Sequence, residues 1–155
     1  TVEVRNGTAI VVMVFLVEAD NANSDWHADR NSNGNSDRYA EPFAVPEAAA
    51  EAVNRARAEG GRVIAVGTTV VRALESAWDG CAVRPARGFT RTFIHPARGV
   101  STVDGLISGF HDPLASHLAM LYAVAGQDLV RDAYAQAVAH GYLWHEFGDS
   151  HLLLR

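Results

Sequence analysis

A chain of 155 residues is long enough to form one compact domain with its own hydrophobic core. Its residues are 48% hydrophobic and 20% charged, a composition that excludes a wholly disordered chain. The formal net charge of -5 argues against a free-standing nucleic-acid-binding module, because such modules are usually basic. Any contact with RNA would have to come from local clusters of arginine or from chain outside these residues.

Three further features restrict the chemistry and the compartment. All 13 basic residues are arginines, which excludes Schiff-base formation and a lysine general base. The single cysteine, Cys81, excludes an internal disulfide and predicts a reduced, cytoplasmic location. The longest apolar run, residues 9–17, is shorter than the ~20 residues that span a bilayer, so we expect no membrane segment.

The N-terminal part of the chain predicts strands followed by a polar linker. Residues 2–5 and 9–17 are predicted strands, and Asn6-Gly7 between them is a hairpin turn signal. Residues 21–37 are rich in Asn, Ser, Asp and Gly, which is typical of a loop. We therefore expect residues 1–40 to form N-terminal strands and a linker, and residues 41–155 to form a separate α/β region.

From residue 41 onward, helical and strand patterns alternate. Pro46 favours a helix start, and Gly60-Gly61 favours its end. Thr68 or Thr69 is predicted to cap the next helix. The predicted strands are 62–66, 88–94, 100–107 and 151–154, and the predicted helices are 46–59, 68–78, 113–125 and 128–140. This alternation predicts an α/β fold with a mainly parallel sheet and flanking helices.

The first segment that suggests chemistry is residues 62–77, RVIAVGTTVVRALESA. A buried strand leads through Gly67 into a helix, and the free amides at a helix start suit an anionic or hydrogen-bonding ligand. Thr68 and Thr69 lie at that start. Arg72 and Glu75, one turn apart, could pair with each other or flank a ligand. The alternative remains that the threonines only cap the helix and that the turn binds nothing.

The second segment, residues 103–117, ends a strand in a polar cluster. His111, Asp112, Ser116 and His117 gather where the chain passes into a helix, and ligands often bind at such strand ends. His111 and Asp112 could act as a general acid and base. Asp112 before Pro113 is better explained as a helix cap, and His111 is equally compatible with a structural role.

The third segment, residues 140–151, is rich in imidazole and carboxylate groups: His140, His145, Glu146, Asp149 and His151. A metal site, and with it a metal-dependent hydrolase, is conceivable. The segment lacks the His-x3-His spacing of helical ligands, so we expect no metal. Asp149 after Gly148 is interpreted as a turn residue or a carboxylate that faces a substrate.

In this order, the three segments resemble the S-adenosylmethionine:tRNA ribosyltransferase-isomerases of queuosine biosynthesis. The resemblance is carried first by RVIAVGTT at residues 62–69. It continues through GFTRTFIHP at 88–96, VDGL at 103–106, Phe110-His111, Ala133-Tyr134, Tyr142 and Gly148-Asp149, and it covers about residues 41–154. It implies that the chain is part of the large α/β barrel-like domain of that family, and that an N-terminal half of the same protein is missing.

The resemblance also implies an activity and a set of site residues. Such an enzyme uses S-adenosylmethionine as a ribosyl donor, and it transfers and isomerises the ribosyl group onto 7-aminomethyl-7-deazaguanine in tRNA. Glu75, His111 and Asp149 are the expected catalytic residues, for proton handling or ribose contact. The residues expected to bind the ligand are Gly67, Thr68, Thr69, Arg72, Asp104 and Gly148.

The sequence departs from the family pattern at several of these positions. Gly109 replaces an asparagine, and residues 114–116 (Leu-Ala-Ser) replace a Lys-Ser-Thr run. Losing a cation makes the expected site less suited to a polyanion. Two alternatives therefore remain open: a paralogue that binds S-adenosylmethionine or a nucleoside but uses an acceptor other than tRNA, and a non-catalytic fragment.

Overall fold

A computed structural model describes residues 2–4, 10–13, 40–111 and 117–155, with side chains described from residue 40 onward except for His145. The predicted Asn6-Gly7 turn, the polar segment 21–37 and the Asp112-Pro113 helix start lie outside these residues.

A five-stranded sheet forms the centre of the fold, in the order β1-β2-β4-β6-β7. Its strands are β1 (Val2–Val4), β2 (Ile10–Met13), β4 (Arg62–Val66), β6 (Gly105–Gly109) and β7 (Ser150–Leu154). The apolar run at 62–66 therefore forms a strand with the predicted bounds. The predicted pairing of the two N-terminal strands is confirmed, because β1 and β2 pair antiparallel.

Helices pack against one face of this sheet. They are α1 (Glu47–Ala58), α2 (Thr68–Ser76), α3 (His117–Ala125) and α4 (Gln127–Ala139). The crossovers β2-α1-β4 and β4-α2-β6 proceed in the same direction across the sheet, so right-handed connections place α1 and α2 on the same side. Val63, Ala65, Leu106 and Leu153 of the sheet accordingly share one buried cluster with Val53, Leu74 and Leu121 of the helices.

A second, two-stranded sheet lies against the outer side of α2. It pairs β3 (Glu41–Val45) with β5 (Ala86–Thr90) in antiparallel register. The Ser76 Oγ of α2 lies 2.5 Å from the Thr90 Oγ1 of β5, and Arg72 of α2 forms a salt bridge with Glu41 of β3. These contacts fix the small sheet to the helix that follows β4.

The predicted mainly parallel sheet is only half correct. The pairs β2-β4 and β4-β6 are parallel, but β1-β2 and β6-β7 are antiparallel. The described strands form an open sheet, so the barrel-like arrangement is not seen in them. The last strand is antiparallel because the connection from β6, which contains α3, α4 and a 3-10 turn (His145–Phe147), returns to the edge of the sheet where β6 ends. The Phe110 amide accordingly donates to the Asp149 carbonyl oxygen, and β7 begins beside the end of β6.

Two local expectations also change. Gly67, not a threonine, occupies the N-cap position of α2, and no side chain caps that helix. Of the predicted strand 100–107, residues 100–104 form a loop, and β6 begins only at Gly105. A side chain at Gly105 would clash with the Leu153 carbonyl oxygen, so glycine there lets β7 pack closely.

Candidate functional site

Polar groups gather at the carboxyl ends of β4 and β6, the edge where α/β proteins bind ligands. At the end of β4 the chain turns at Gly67, whose φ of 92° favours glycine. The Gly67 amide donates to the Ile107 carbonyl oxygen at 2.8 Å, which fixes the turn to β6. Thr68 is buried at this turn, and Thr69 is exposed. Because α2 has no side-chain cap, its first backbone amides can donate hydrogen bonds to an acceptor on a ligand.

A hydrogen-bonded group lies at the end of the neighbouring strand. The Ser108 hydroxyl and the His111 Nε2 are 2.8 Å apart, and Ser108 is only 5% exposed. The His111 amide donates to the Tyr134 hydroxyl of α4 at 2.9 Å. The His111 ring also stacks on His117, with centroids 4.6 Å apart. The imidazole of His111 is thus held at a defined position, which general acid-base chemistry requires.

An aromatic cluster surrounds Phe110, which is 4% exposed. Its ring centroid lies 5.3 Å from that of Tyr134, 6.4 Å from Trp144 and 4.3 Å from His151. Trp144 adopts a φ of 73°, the one positive φ at a non-glycine residue in the described part of the chain. Such strained backbone often occurs at functional sites, since surrounding contacts must hold it in place.

Asp149 fixes the loop that carries Trp144. Its carboxylate accepts a hydrogen bond from the Leu143 amide, and its own amide donates to the Trp144 carbonyl oxygen at 3.3 Å. Gly148 before it has a φ of 91°. The interpretation of Gly148 and Asp149 as turn residues therefore agrees with their contacts, and they place the aromatic cluster beside β6.

His151 is a partly buried polar residue of this cluster. It pairs with Ser108 across β6 and β7, which puts both side chains on the same face of the sheet. Both of its ring nitrogens are buried and have no hydrogen-bond partner in the described structure. Burial lowers the pKa of His151 below its usual value, so the ring is neutral at pH 7 and offers one donor and one acceptor.

Two of the expected site residues lie at the opposite edge of the sheet. The Asp104 Oδ2 accepts from the Val63 amide at 2.8 Å, at the start of β4. Glu75 lies near the end of α2, about 10 Å along the helix axis from Thr68. Its carboxylate accepts hydrogen bonds from Ser101 and Thr102, in the loop before Asp104.

Arg72 occupies a third position, between the two edges. It does not pair with Glu75, as one reading of their spacing suggested, but with Glu41 of the small sheet. Glu75 instead forms a salt bridge with Arg98 at 2.8 Å. The helical spacing put both side chains on the α2 surface, but loops that are distant in sequence determine their partners.

The structure thus brings together six of the nine expected site residues at one edge: Gly67, Thr68, Thr69, His111, Gly148 and Asp149. Four further residues join this group: Ser108, Tyr134, Trp144 and His151. The sequence did not single out any of them as a site residue, except His151 as a possible metal ligand. Ser108 could have been found from strand alternation, because it shares a face with Leu106. Tyr134 could not, because its place depends on how α4 packs.

The amino-terminal edge of the sheet also has an open cleft of about 670 Å³. Its lining includes Arg57, Ser101, Asp104 and Arg155. The Arg57 guanidinium donates to the Ser101 carbonyl oxygen at 2.6 Å and lies 4.9 Å from the ring centroid of Trp78. Because these arginines are engaged in holding the loop, we do not place the functional site in this cleft.

Within the described residues, no group of three or more His, Cys, Asp or Glu side chains is placed to hold a metal ion. In that same part of the chain, none of the helices is long and apolar enough to cross a membrane.

A mixed sheet with helices packed against one face, and with polar and aromatic side chains gathered where β4 and β6 end, defines an α/β protein. A sequence model of the family described as "Queuosine biosynthesis protein" matches residues 21–153. The chain therefore belongs to the queuosine biosynthesis protein family.

Known relatives agree with this membership. The chain is 50% identical to the S-adenosylmethionine:tRNA ribosyltransferase-isomerase of Deinococcus radiodurans over 109 residues, which cover 70% of this chain and 30% of the relative. It is also 50% identical to the enzyme of that name from Thermus thermophilus, with 70% and 32% covered. The chain thus spans about a third of the length of these relatives.

A solved structure shows the same fold. The crystal structure of the S-adenosylmethionine tRNA ribosyltransferase from Thermotoga maritima matches with a TM-score of 0.66 and 37% identity. The match covers 72% of this chain and 39% of that one.

Proposed function

We propose that this chain contributes to an enzyme that transfers the ribosyl group of S-adenosylmethionine to 7-aminomethyl-7-deazaguanine in tRNA and isomerises it. The observation that carries the proposal is the placement of His111. Its ring is held by Ser108 at the same edge as the uncapped start of α2, in a chain that is 50% identical over 109 residues to an enzyme of that name. tRNA and the remaining part of the longer protein are the proposed partners.

The residues at this edge suit a nucleoside-like ligand. The turn at Gly67 leaves the α2 amides available to a polar group of the ligand. Tyr134 and Trp144, which pack around the buried Phe110, provide aromatic surface of the kind that lines small-molecule sites. Both ring nitrogens of the neutral His151 are buried in this cluster without a partner, so a ligand group that displaced the neighbouring side chains would gain a favourable hydrogen bond there. In this proposal, His111 transfers the proton beside the sulfonium centre, and Asp149 positions the loop of Trp144.

Glu75 and Asp104 have other roles in this proposal. Each carboxylate is bonded to backbone amides at the opposite edge of the sheet, so both hold the loop before β6 in place. The prediction that Glu75 handles protons stays a prediction, which the stability measurement described in the Discussion separates from a structural role.

The test is a chimaera in which residues 41–154 replace the matching segment of the Thermus thermophilus relative. We expect it to release adenine from S-adenosylmethionine only when tRNA bearing the aminomethyl-deazaguanine is added. Within the chimaera, His111→Gln should lower kcat by roughly 100-fold or more, the usual contribution of a general acid or base. The matched control is His140→Gln, because His140 is exposed at the end of α4, where its ring bonds the Gln136 carbonyl oxygen of its own helix.

Adenine release that does not depend on tRNA would favour a different acceptor. Equal kcat values for the His111 and His140 variants would remove His111 from the chemistry and with it the main support for the proposed function.

A further inference from the structure

His151 carries an imidazole whose nitrogen atoms are buried without partners. In the described part of the chain, its Nδ1 and Nε2 are the buried side-chain atoms that lack a hydrogen-bond partner. Buried polar groups in native proteins are almost always paired, so these two atoms need a physical explanation. Ser108, opposite His151 on β6, does not pair with them, because its hydroxyl is bonded to the His111 Nε2. The unpaired ring therefore points to a ligand.

The surroundings of this ring are aromatic. The His151 centroid lies 4.3 Å from that of Phe110, with the planes inclined by 43°, and 5.8 Å from that of Tyr134, with the planes at 65°. Aromatic rings prefer tilted or offset aromatic neighbours at such distances. A ligand that fits here must therefore combine a planar aromatic ring with hydrogen-bonding groups at its rim, a combination that the heterocyclic bases of nucleosides have.

One loop packs over this cluster. We call residues 142–148 the aromatic loop. The Tyr142 and Trp144 centroids lie 5.6 Å and 6.4 Å from that of Phe110, and the Trp144 centroid is 5.8 Å from that of Tyr134. The Trp144 indole thus makes ring contacts with Phe110 and Tyr134 that a planar ligand could take over.

The backbone of the aromatic loop is suited to moving as a unit. The described hydrogen bonds of residues 143–148 all stay between residues 143 and 150, and one of them joins the Leu143 amide to the Asp149 carboxylate. Gly141 and Gly148, at the two ends, have φ of 74° and 91°, and Trp144 has a φ of 73°. Small residues at the ends of a loop can absorb a rotation of the backbone, and the strained Trp144 is held only by its contacts.

We propose that an adenine ring binds beside His151 in place of the Trp144 indole, and that the aromatic loop moves outward to admit it. Adenine carries donors and an acceptor at its rim, so it can bond the imidazole while its faces contact Phe110 and Tyr134. His151 then determines specificity, and Trp144 closes the subsite when no ligand is bound. The choice of adenine rests on the proposed function, because S-adenosylmethionine supplies such a ring.

The first experiment follows Trp144 in the 155-residue chain labelled with 5-fluorotryptophan. Trp26 and Trp78 give the other two fluorine resonances, and a Trp144→Phe variant assigns the third. Added 5′-methylthioadenosine, which carries adenine but no sulfonium charge, should shift the Trp144 resonance and increase its solvent isotope shift, as for a ring moved into water. The Trp78 resonance should not change. Guanosine, whose rim groups differ, should bind about tenfold more weakly or less.

The second experiment replaces His151. His151→Phe keeps an aromatic ring and should weaken binding of 5′-methylthioadenosine about tenfold, while the melting temperature stays equal or rises because a buried unpaired group is removed. A histidine with only a structural role would give a lower melting temperature and unchanged affinity. His151→Gln, which keeps a donor and an acceptor, should recover part of the affinity. The matched control is His140→Phe at the exposed end of α4, which should change neither quantity.

Three results would overturn the inference. They are a Trp144 resonance that 5′-methylthioadenosine leaves unchanged, a His151→Phe protein that binds this nucleoside normally, and a crystal structure in which an ordered water bonds the His151 ring and Trp144 stays in place with the nucleoside bound.

Failure here is separable from failure of the proposed function. An active chimaera in which His151→Phe leaves KM for S-adenosylmethionine unchanged would keep the ribosyl transfer and remove this subsite. An inactive chimaera, together with nucleoside binding that depends on His151, would keep the subsite and remove the transfer.

Discussion

The carboxylate of Glu75 is 5% exposed and is held by several hydrogen bonds. Its Oε1 accepts from the Ser101 amide at 2.6 Å and from the Thr102 amide and hydroxyl at 2.8 Å each. Its Oε2 accepts from Arg98 at 2.8 Å. A carboxylate so fully bonded orders the loop that leads to β6, because removing it would leave buried amides without an acceptor.

Glu75→Ala should therefore destabilise the fold. We expect the free energy of unfolding in urea to fall by about 3 kcal/mol, as for other buried charged groups whose partners are left behind. Glu51→Ala, at an exposed position of α1, should change it by no more than about 0.5 kcal/mol. A Glu75→Ala protein with unchanged stability, in which only the activity of the chimaera is lost, would instead favour the proton-handling role.

Among the elements, the close packing of β7 against β6 depends on one small residue, Gly105. A Cβ atom on Gly105 would lie 2.7 Å from the Leu153 carbonyl oxygen and 2.8 Å from the Ile64 Cδ1. The first of these contacts is with backbone, which cannot move without breaking the β6-β7 register. Since β7 carries His151 beside Ser108, this register also aligns the candidate site.

Gly105→Ala should therefore lower the free energy of unfolding by about 2 kcal/mol, the usual cost of overpacking. Gly88→Ala is the matched control, because the nearest atom to its added Cβ is the Phe43 Cε1 at 3.9 Å. That substitution should be neutral or stabilising by up to ~1 kcal/mol, since alanine restricts the unfolded chain. Equal stability of the two variants would show that β7 can shift to admit a side chain.

At the scale of the whole molecule, the two faces of the main sheet differ in how far their side chains are buried. Val63, Ala65, Leu106 and Leu153 lie under the helices. Ile107, Leu152 and Leu154 point to the other face, and the last two remain 54% and 41% exposed. Crossovers that all proceed in one direction place their helices on one side, so an apolar second face follows from the topology.

A dye that binds exposed apolar surface should report this face. We expect ANS fluorescence with the 155-residue chain to fall by at least half in a Leu152→Thr/Leu154→Thr double variant, with little change in melting temperature because both side chains are already largely exposed. Leu129→Thr on α4, which is 51% exposed but outside the sheet, should leave the signal unchanged. A signal that the double variant does not reduce would mean that this face is covered.

The sequence alone indicated the family and most of the helices and strands, but it did not predict β3, and it placed the strand that forms β5 at 88–94 rather than at Ala86–Thr90. Hydrophobic runs and glycines act locally, so they placed β4 and the start of α2 within a residue, and the RVIAVGTT segment carried the resemblance that the comparisons confirm. Local sequence patterns also indicated His111 as a candidate site residue and Gly148-Asp149 as a turn, and both lie at one edge of the sheet.

Only the tertiary structure decided which of these residues meet. The direction of a strand and its neighbours depend on pairing between distant segments, which no local pattern records. For that reason the antiparallel β7, the Arg72-Glu41 pair and the place of Glu75 at the far edge could not be predicted from spacing. The neutral His151 in its aromatic cluster depends on burial, and burial is a property of the packed chain.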